Sequence, residues 1–278
     1  CLLVRYGEIF LKTKPVRRNF ENILIGNIRN ELEKNSIKSK IRIVSGRIII
    51  ETEKIRKAGK ILEKTFGVVS FSSAYSCDKK YEEIERISKE LAKNFRKSFA
   101  IDAMRQDKEF PLTSQQIKER LGEKIRNHYR LKVNLSNPNH TLHIEIRDKC
   151  YVYDKIIEGP KGLPLGTGGK VIGFLKDDSD LIENWLIMKR GIKVILVDPD
   201  KKLQKKLQKW SIGRNLKVAK DIDEAVRKGA KAIVSGKGIK SKVQSDAKRQ
   251  QTTLVVFNPL VGFNKKEIKN LLKRIKRS

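Results

Sequence analysis

Ile41-Arg42-Ile43-Val44-Ser45-Gly46-Arg47-Ile48-Ile49-Ile50-Glu51 decides the first part of the fold. Two β-branched runs, Ile41–Val44 and Ile48–Glu51, flank Ser45-Gly46-Arg47. A glycine between two such runs signals a hairpin, because it adopts the positive φ that a tight turn demands. On the N-terminal side, Leu2–Tyr6 reads as a short strand that ends at Gly7. From Pro15, the residues Val16, Phe20, Ile23, Leu24, Asn27, Ile28 and Leu32 recur three or four apart, the spacing of one helix face. A second helix is expected over Lys54–Phe66. The order strand, helix, strand, strand, helix makes residues 1–67 a small α+β unit.

A second unit is expected over residues 68–160. Tyr81–Phe95 reads as helix, Phe99–Arg105 as strand and Thr113–Tyr129 as helix, with Thr113 or Ser114 available as its N-cap. Strands Lys132–Leu135 and Thr141–Arg147 flank the turn Ser136-Asn137-Pro138-Asn139, and Cys150–Ile157 supplies one more. The Gly/Pro-rich stretch Glu158–Gly169 reads as a linker. Beyond it, short apolar runs at Lys170–Leu175, Ile192–Val197, Leu216–Ala219, Ala232–Ser235 and Leu254–Phe257 alternate with helices, and a basic helix over Asn264–Lys276 follows. That alternation predicts an α/β domain over residues 161–278, a doubly wound parallel sheet with helices on both faces.

Charge narrows the function. The 278 residues carry 63 Lys and Arg against 32 acids, a net charge of +31, beside 38% hydrophobic residues that suffice for real cores. An excess this large repels itself and points to a polyanionic partner, nucleic acid above all. No stretch approaches the roughly 20 apolar residues of a membrane span, and no signal-peptide pattern opens the sequence, so a soluble, cytoplasmic protein is expected. Cys1, Cys77 and Cys150 form no C-x-x-C pair and fit a reducing compartment. His140 and His143 stand three apart on a strand, so they should face opposite sides, and no metal site is expected.

Three segments resemble a known family in order and spacing. Tyr6-Gly7-Glu8-Ile9 with Leu11-Lys12, then Arg17-Arg18 and Phe20-Glu21, resembles the opening of the tRNA 4-thiouridine synthetase (tRNA sulfurtransferase) family. Arg105, Lys108, Phe110-Pro111-Leu112-Thr113-Ser114 and Gly122, with Asn137-Pro138 and Glu145-Ile146-Arg147 downstream, resembles its THUMP domain. Gly162-Leu163-Pro164-Leu165-Gly166 through Gly169-Lys170-Val171, then Met188-Lys189-Arg190-Gly191, resembles the entry to its ATP-binding domain. The resemblance implies a ferredoxin-like domain, a THUMP domain and a PP-loop (Rossmann-like) domain, with tRNA gripped near its acceptor end by the first two. The residues themselves agree. Arg5, Lys12, Lys14, Arg17 and Arg18 surround a strand-to-helix turn, where helix N–H groups also favour phosphate. Arg105 and Lys108 lie where a strand passes into a loop, offering a bidentate fork and a point charge to phosphate oxygens.

The sequence departs from the family at its nucleotide loop. PP-loop enzymes place Ser-Gly-Gly-x-Asp-Ser after the first strand, so that backbone N–H groups close around pyrophosphate. A gapless match puts Lys176-Asp177-Asp178-Ser179-Asp180-Leu181 there, with two aspartates where the glycines belong. Like charges facing a polyphosphate are costly when desolvated, so a capped, solvated helix start is expected instead of an ATP site. The alternative loop Gly-x-x-x-x-Gly-Lys-[Ser/Thr] fails at Pro164 and Val171. Ser235-Gly236-Lys237-Gly238 follows a predicted strand and could hold a phosphate, though a plain turn has the same pattern. Sulfur transfer needs a persulfide-forming cysteine, and none follows Cys150. The expectation is a THUMP-containing tRNA-binding protein with a degenerate, non-adenylating C-terminal domain that needs no cofactor. A rival reading is a non-catalytic partner that presents tRNA to a separate modifying enzyme. ATP and magnesium enter only under the alternative, a tRNA sulfurtransferase with an atypical active site.

Overall fold

The hairpin closes on Ser45 and Gly46, whose φ values of 42° and 79° are both positive, and Arg47 already belongs to the returning strand. The structure is a computed structural model that describes residues 1–7, 9, 12–234 and 254–276. Its first half runs β1 (Leu2–Tyr6), α1 (Lys14–Lys34), β2 (Lys40–Val44), β3 (Arg47–Glu51), α2 (Ile55–Leu62), β4 (Val68–Ser73), β5 (Tyr75–Cys77), α3 (Tyr81–Ala92), β6 (Ser98–Arg105), α4 (Ser114–Tyr129), β7 (Lys132–Val133), β8 (His140–Ile146), β9 (Cys150–Tyr153) and β10 (Ile157–Glu158). The second half runs β11 (Lys170–Gly173), α5 (Asp178–Lys189), β12 (Lys193–Val197), α6 (Lys201–Gln208), β13 (Lys217–Ala219), α7 (Ile222–Arg227), β14 (Ala232–Val234), β15 (Val255–Phe257) and α8 (Lys265–Lys276). Ser235-Gly236-Lys237-Gly238 lies outside the described residues.

The described residues form three five-stranded sheets, in orders β10-β4-β1-β3-β2, β5-β9-β8-β6-β7 and β13-β12-β11-β14-β15. The first two differ from the sequence reading in particular strands. Val68–Ser73, expected to open the second unit, joins the first sheet as β4 beside β1. Cys150–Ile157 is not one strand: β9 pairs with β8 and β5, whereas β10 pairs with β4 in the first sheet. Lys132–Leu135 shrinks to the two residues of β7, at the edge of the second sheet. The Glu158–Gly169 linker is pinned, with the amides of Gly159 and Lys161 donating to Val69 and Val68 carbonyls at 2.8 Å. A Cβ on Gly159 would stand 2.3 Å from the Val68 oxygen, so glycine is what permits this approach.

The chain folds into two compact units that interleave along the sequence. One comprises Cys1–Arg5, Ser39–Arg56 and Ser70–Glu158; the other comprises Tyr6–Lys38, Lys57–Val69 and Gly159–Ser278. In the first unit, α3 and α4 bury Ile84, Ile87, Ile117, Leu121 and Ile125 against β6, β8 and β9. His140 stacks on Phe95 and His143 on Tyr153, at 4.7 and 4.9 Å between ring centres. Among the described residues no cluster of three or more His, Cys, Asp or Glu could hold a metal.

In the second unit the parallel sheet is apolar on both faces, as its alternation requires. Val171, Val194, Leu196 and Val234 face one core with residues of α5, α6 and α8. Ile172, Ile195, Val197 and Ile233 face the other with Ala225 of α7. Phe66 inserts into the first of these cores, 5.4 Å from Trp185 and 5.8 Å from Trp210. Changing Phe66→Leu forfeits these ring contacts, each worth about 0.5–1.5 kcal/mol beyond area. The unfolding midpoint in denaturant should drop accordingly, with no change in slope. A variant as stable as the parent would show the cluster to be loosely packed.

Candidate nucleic-acid interface

In the second unit, the start of α1 is a bare cationic end. Its first turn carries no acid, Pro15 occupies the second position, and the Thr13 side chain makes no cap hydrogen bond. Lys12, Lys14 and Arg18 are exposed, and among the described residues none has an acidic partner. Arg17 is partly covered and lies 4.0 Å from Glu21, which also accepts the Tyr6 hydroxyl at 2.6 Å. Unpaired N–H groups, the positive end of the helix dipole and exposed cations together attract phosphate. The turn expected from sequence is therefore present for four of its five cations.

Arg5, the fifth, is elsewhere. It belongs to the first unit and its guanidinium is used inside it. It donates to Ser72 Oγ at 3.1 Å, reaches Glu145 Oε1 at 3.4 Å and lies 4.8 Å over the Tyr153 ring. Glu145, 3% exposed, is the hub of this cluster. Its Oε2 accepts from Arg47 Nε at 3.1 Å and from Arg147 Nη2 at 2.6 Å, and its Oε1 accepts the Tyr153 hydroxyl at 3.0 Å. Burial pushes the Glu145 carboxyl up, yet Arg47, Arg147 and Arg5 outweigh it and hold the group below the ordinary carboxylate range. Arg147 also donates to the Ser45 carbonyl at the hairpin turn, at 2.6 Å. Arg5 is thus a brace between β1 and β8, a role that only long-range structure could reveal.

Arg105 and Lys108 part company as well. The Arg105 guanidinium donates to the carbonyls of Phe110 at 2.9 Å and Lys108 at 3.4 Å, fastening its own loop. Lys108 is exposed, but its neighbour Asp107 is held by Lys79 at 2.6 Å and Glu109 is exposed beside it. The N-terminus of α4 carries a capping box between Thr113 and Gln116, which takes up the amides of those two residues. Of this pair, Lys108 is the more exposed, and Arg105 is half-buried with its guanidinium on neutral carbonyls.

The loop before α5 is filled by its own acids. Asp177 Oδ1 accepts from the Asp180 amide at 2.9 Å, and Asp180 Oδ2 accepts from the Lys176 amide at 2.7 Å. Lys176 Nζ pairs with Asp198 at 2.5 Å, and Asp178 pairs with Lys276 at 2.7 Å. Ser179 is half-buried in the first helical turn. The helix start is capped as expected, but not solvated throughout: Asp180 is 6% exposed, and burial pushes its carboxyl above the usual range. One turn further on, sequence reading missed Glu183, which is 1% exposed with Oε2 lacking any partner among the described residues. Burial, reinforced by Asp180 and Asp177, pushes its carboxyl up to about 8. The signal was available, since Glu183 falls within the apolar run Leu181-Ile182 and Trp185.

Cys77 and Cys150 face each other on β5 and β9, both buried and reduced. The contact with Cys77, together with burial, raises the Cys150 thiol far above its ordinary value. A thiol so placed is a poor nucleophile.

Comparison with known proteins agrees with this architecture. The model of the ThiI ferredoxin-like domain matches residues 1–72, and that of the THUMP domain matches residues 74–154. A probable tRNA sulfurtransferase of Thermococcus kodakarensis is 31% identical, over 99% of this chain and 87% of its own length. That alignment runs over 334 positions, so the relative carries residues that this shorter chain lacks. A probable tRNA sulfurtransferase of Methanothermobacter thermautotrophicus is 32% identical, over 99% of this chain and 84% of its own. Among solved structures, PH1313 of Pyrococcus horikoshii is 32% identical over 99% of both chains, with a TM-score of 0.85. A 4-thiouridine synthetase solved with RNA and bound ATP is 25% identical over 99% of this chain and 84% of its own, with a TM-score of 0.78. By its sequence, its two N-terminal domains and its parallel-sheet domain, the chain belongs to the tRNA sulfurtransferase family.

Proposed function

We propose that this chain binds tRNA near its acceptor end and does not itself adenylate it. Support for tRNA as ligand comes from the net charge of +31, the acid-free start of α1, the THUMP match and the relative solved with RNA. The observation that carries the second half is the loop before α5. The amides of Lys176 and Asp180, which a nucleotide phosphate would need, are already held by the carboxylates of Asp180 and Asp177. Residues 174–182 contain no glycine, so close backbone approach to a pyrophosphate is sterically poor. ATP therefore does not fit the residues present. Magnesium fits no better, because Asp178 is paired with Lys276, and Asp177 and Asp180 each accept a backbone amide. On this reading adenylation and sulfur transfer belong to a separate enzyme, to which this chain presents tRNA.

Titration calorimetry with ATP and magnesium, with and without tRNA, tests the proposal. No binding at micromolar ATP is the expected result. Asp177→Gly combined with Asp178→Gly removes two charges and the helix cap, which should lower stability by about 1 kcal/mol and restore no binding. A dissociation constant in the low micromolar range, or 4-thiouridine formed with a persulfide donor, would overturn it in favour of a sulfurtransferase with an atypical site.

A further inference from the structure

The second unit holds a cavity of about 430 Å³, far from the start of α5, whose charged lining is entirely cationic: Lys170, Lys193, Arg214 and Lys217. Lys170, Lys193 and Lys217 are the first residues of β11, β12 and β13. They therefore mark the N-terminal edge of the parallel sheet, the end opposite the loop before α5. Lys170 and Lys193 are register partners on adjacent strands, an arrangement of like charges that is unfavourable unless something offsets it. Alternation along the strands sets Lys193 and Lys217 on the same face as Ile195.

Arg214 enters from the loop after α6 and is held rigidly. Its Nε donates to Asn27 Oδ1 at 2.8 Å, and its carbonyl accepts from Gln208 Nε2 at 2.9 Å. Gly213 lets this loop lie against α1, since a Cβ there would stand 2.0 Å from the Asn27 oxygen. The acid near this loop, Glu31, is engaged by the Gly213 amide at 2.9 Å and does not line the cavity. Lys170 donates to the Lys228 carbonyl at 2.7 Å, which fixes its ammonium without neutralising it. Lys193 has no counter-ion among the described residues; burial, then Arg214, Lys170 and Lys217, push its ammonium below its ordinary value. Four cations from four segments thus converge on one concavity whose described lining includes no carboxylate.

We infer that this cavity is a phosphate-binding site, taking a phosphate group carried either by an RNA backbone or by a small phosphorylated molecule. A guanidinium held in place beside three ammonium groups is a combination that holds phosphate oxygens. An anion there would also relieve the repulsion among the four cations. The inference stands on the cavity alone and does not depend on the tRNA reading.

The test uses the full chain and the double variant Lys193→Gln with Lys217→Gln, which leaves the Arg214 brace intact. Lys201→Gln with Lys202→Gln, on the exposed face of α6, is the control for general loss of charge. In the first arm, magnesium-free pyrophosphate is titrated calorimetrically at low salt. The double variant leaves the cations at the start of α1 untouched, so the difference between parent and variant reports on the cavity. In the second arm, affinity for a tRNA transcript is measured against salt. The double variant should bind pyrophosphate at least tenfold more weakly, or lose about 0.9 per contacted phosphate from the slope of log affinity against log salt. A change in the first arm alone identifies a small phosphorylated ligand, and a change in the second identifies RNA. Equal behaviour of parent, variant and control in both arms would overturn the inference. Either single variant replaces the double one should the latter fail to fold.

Discussion

Replacing Glu145 with alanine will lower the free energy of unfolding by about 3–5 kcal/mol, the range seen when one partner of a buried ion cluster is removed. The effect is large because Glu145 serves three guanidinium groups at once. Arg5, Arg47 and Arg147 are 15%, 17% and 1% exposed in their side chains, and each reaches one of its oxygens. Without the carboxylate they are left as like charges in a water-poor setting. Glu145→Gln keeps part of the hydrogen bonding and should fall between the parent and the alanine variant. The pH dependence has a definite sign. The folded carboxyl titrates below its unfolded value of about 4.3, so its contribution is complete above that pH. It is lost as pH falls through the folded value. Denaturant midpoints should therefore drop more steeply on acidification for the parent than for Glu145→Gln. A Glu145→Ala midpoint shift equivalent to under about 1 kcal/mol, small against the usual 5–15 kcal/mol of total stability, would show that water reaches the arginines.

The same cluster explains where sequence reading stopped. Local signals were legible: the Ser45-Gly46 turn, the helical spacing of α1 and the strand–helix alternation beyond residue 170 all follow from short-range chemistry. The Thr113 cap and the acid-filled loop at Asp177 were visible for the same reason. Partnership over long separations was not. Val68–Ser73 has one apolar pattern whichever sheet it enters, and it joins β1, more than sixty residues away in sequence. Arg5 looks like any cation at a strand end until Glu145, 140 positions on, is brought beside it. Arg105 is a surface arginine by sequence and a loop fastener by geometry. Asp180 reads as solvated because an aspartate at a helix start usually is. Its burial follows from α5 being covered on nearly every side. The cavity at the opposite sheet edge escaped for a further reason: its four cations are spread over 48 residues and meet only when three strands align.

Between 50 and 300 mM salt, the affinity of the full chain for a tRNA transcript will fall by at least about a hundredfold, because each neutralised phosphate releases counterions. The decisive variants are those at the start of α1. Lys14→Glu with Arg18→Glu introduces acids beside unpaired helix amides and should both weaken binding and flatten the salt slope, by about 0.9 for each phosphate no longer neutralised. Lys108→Ala should weaken binding by about 1–2 kcal/mol, as for one charge-assisted hydrogen bond on an exposed loop. Arg105→Ala differs in kind. Its guanidinium holds the Lys108 and Phe110 carbonyls, so its loss acts through the position of Lys108. Arg105→Lys, which keeps the charge but lacks the fork, should then resemble Arg105→Ala. If lysine instead rescues binding fully, Arg105 meets phosphate directly through its charge. If the α1 variants bind like the parent at every salt concentration, tRNA is held elsewhere on this basic surface.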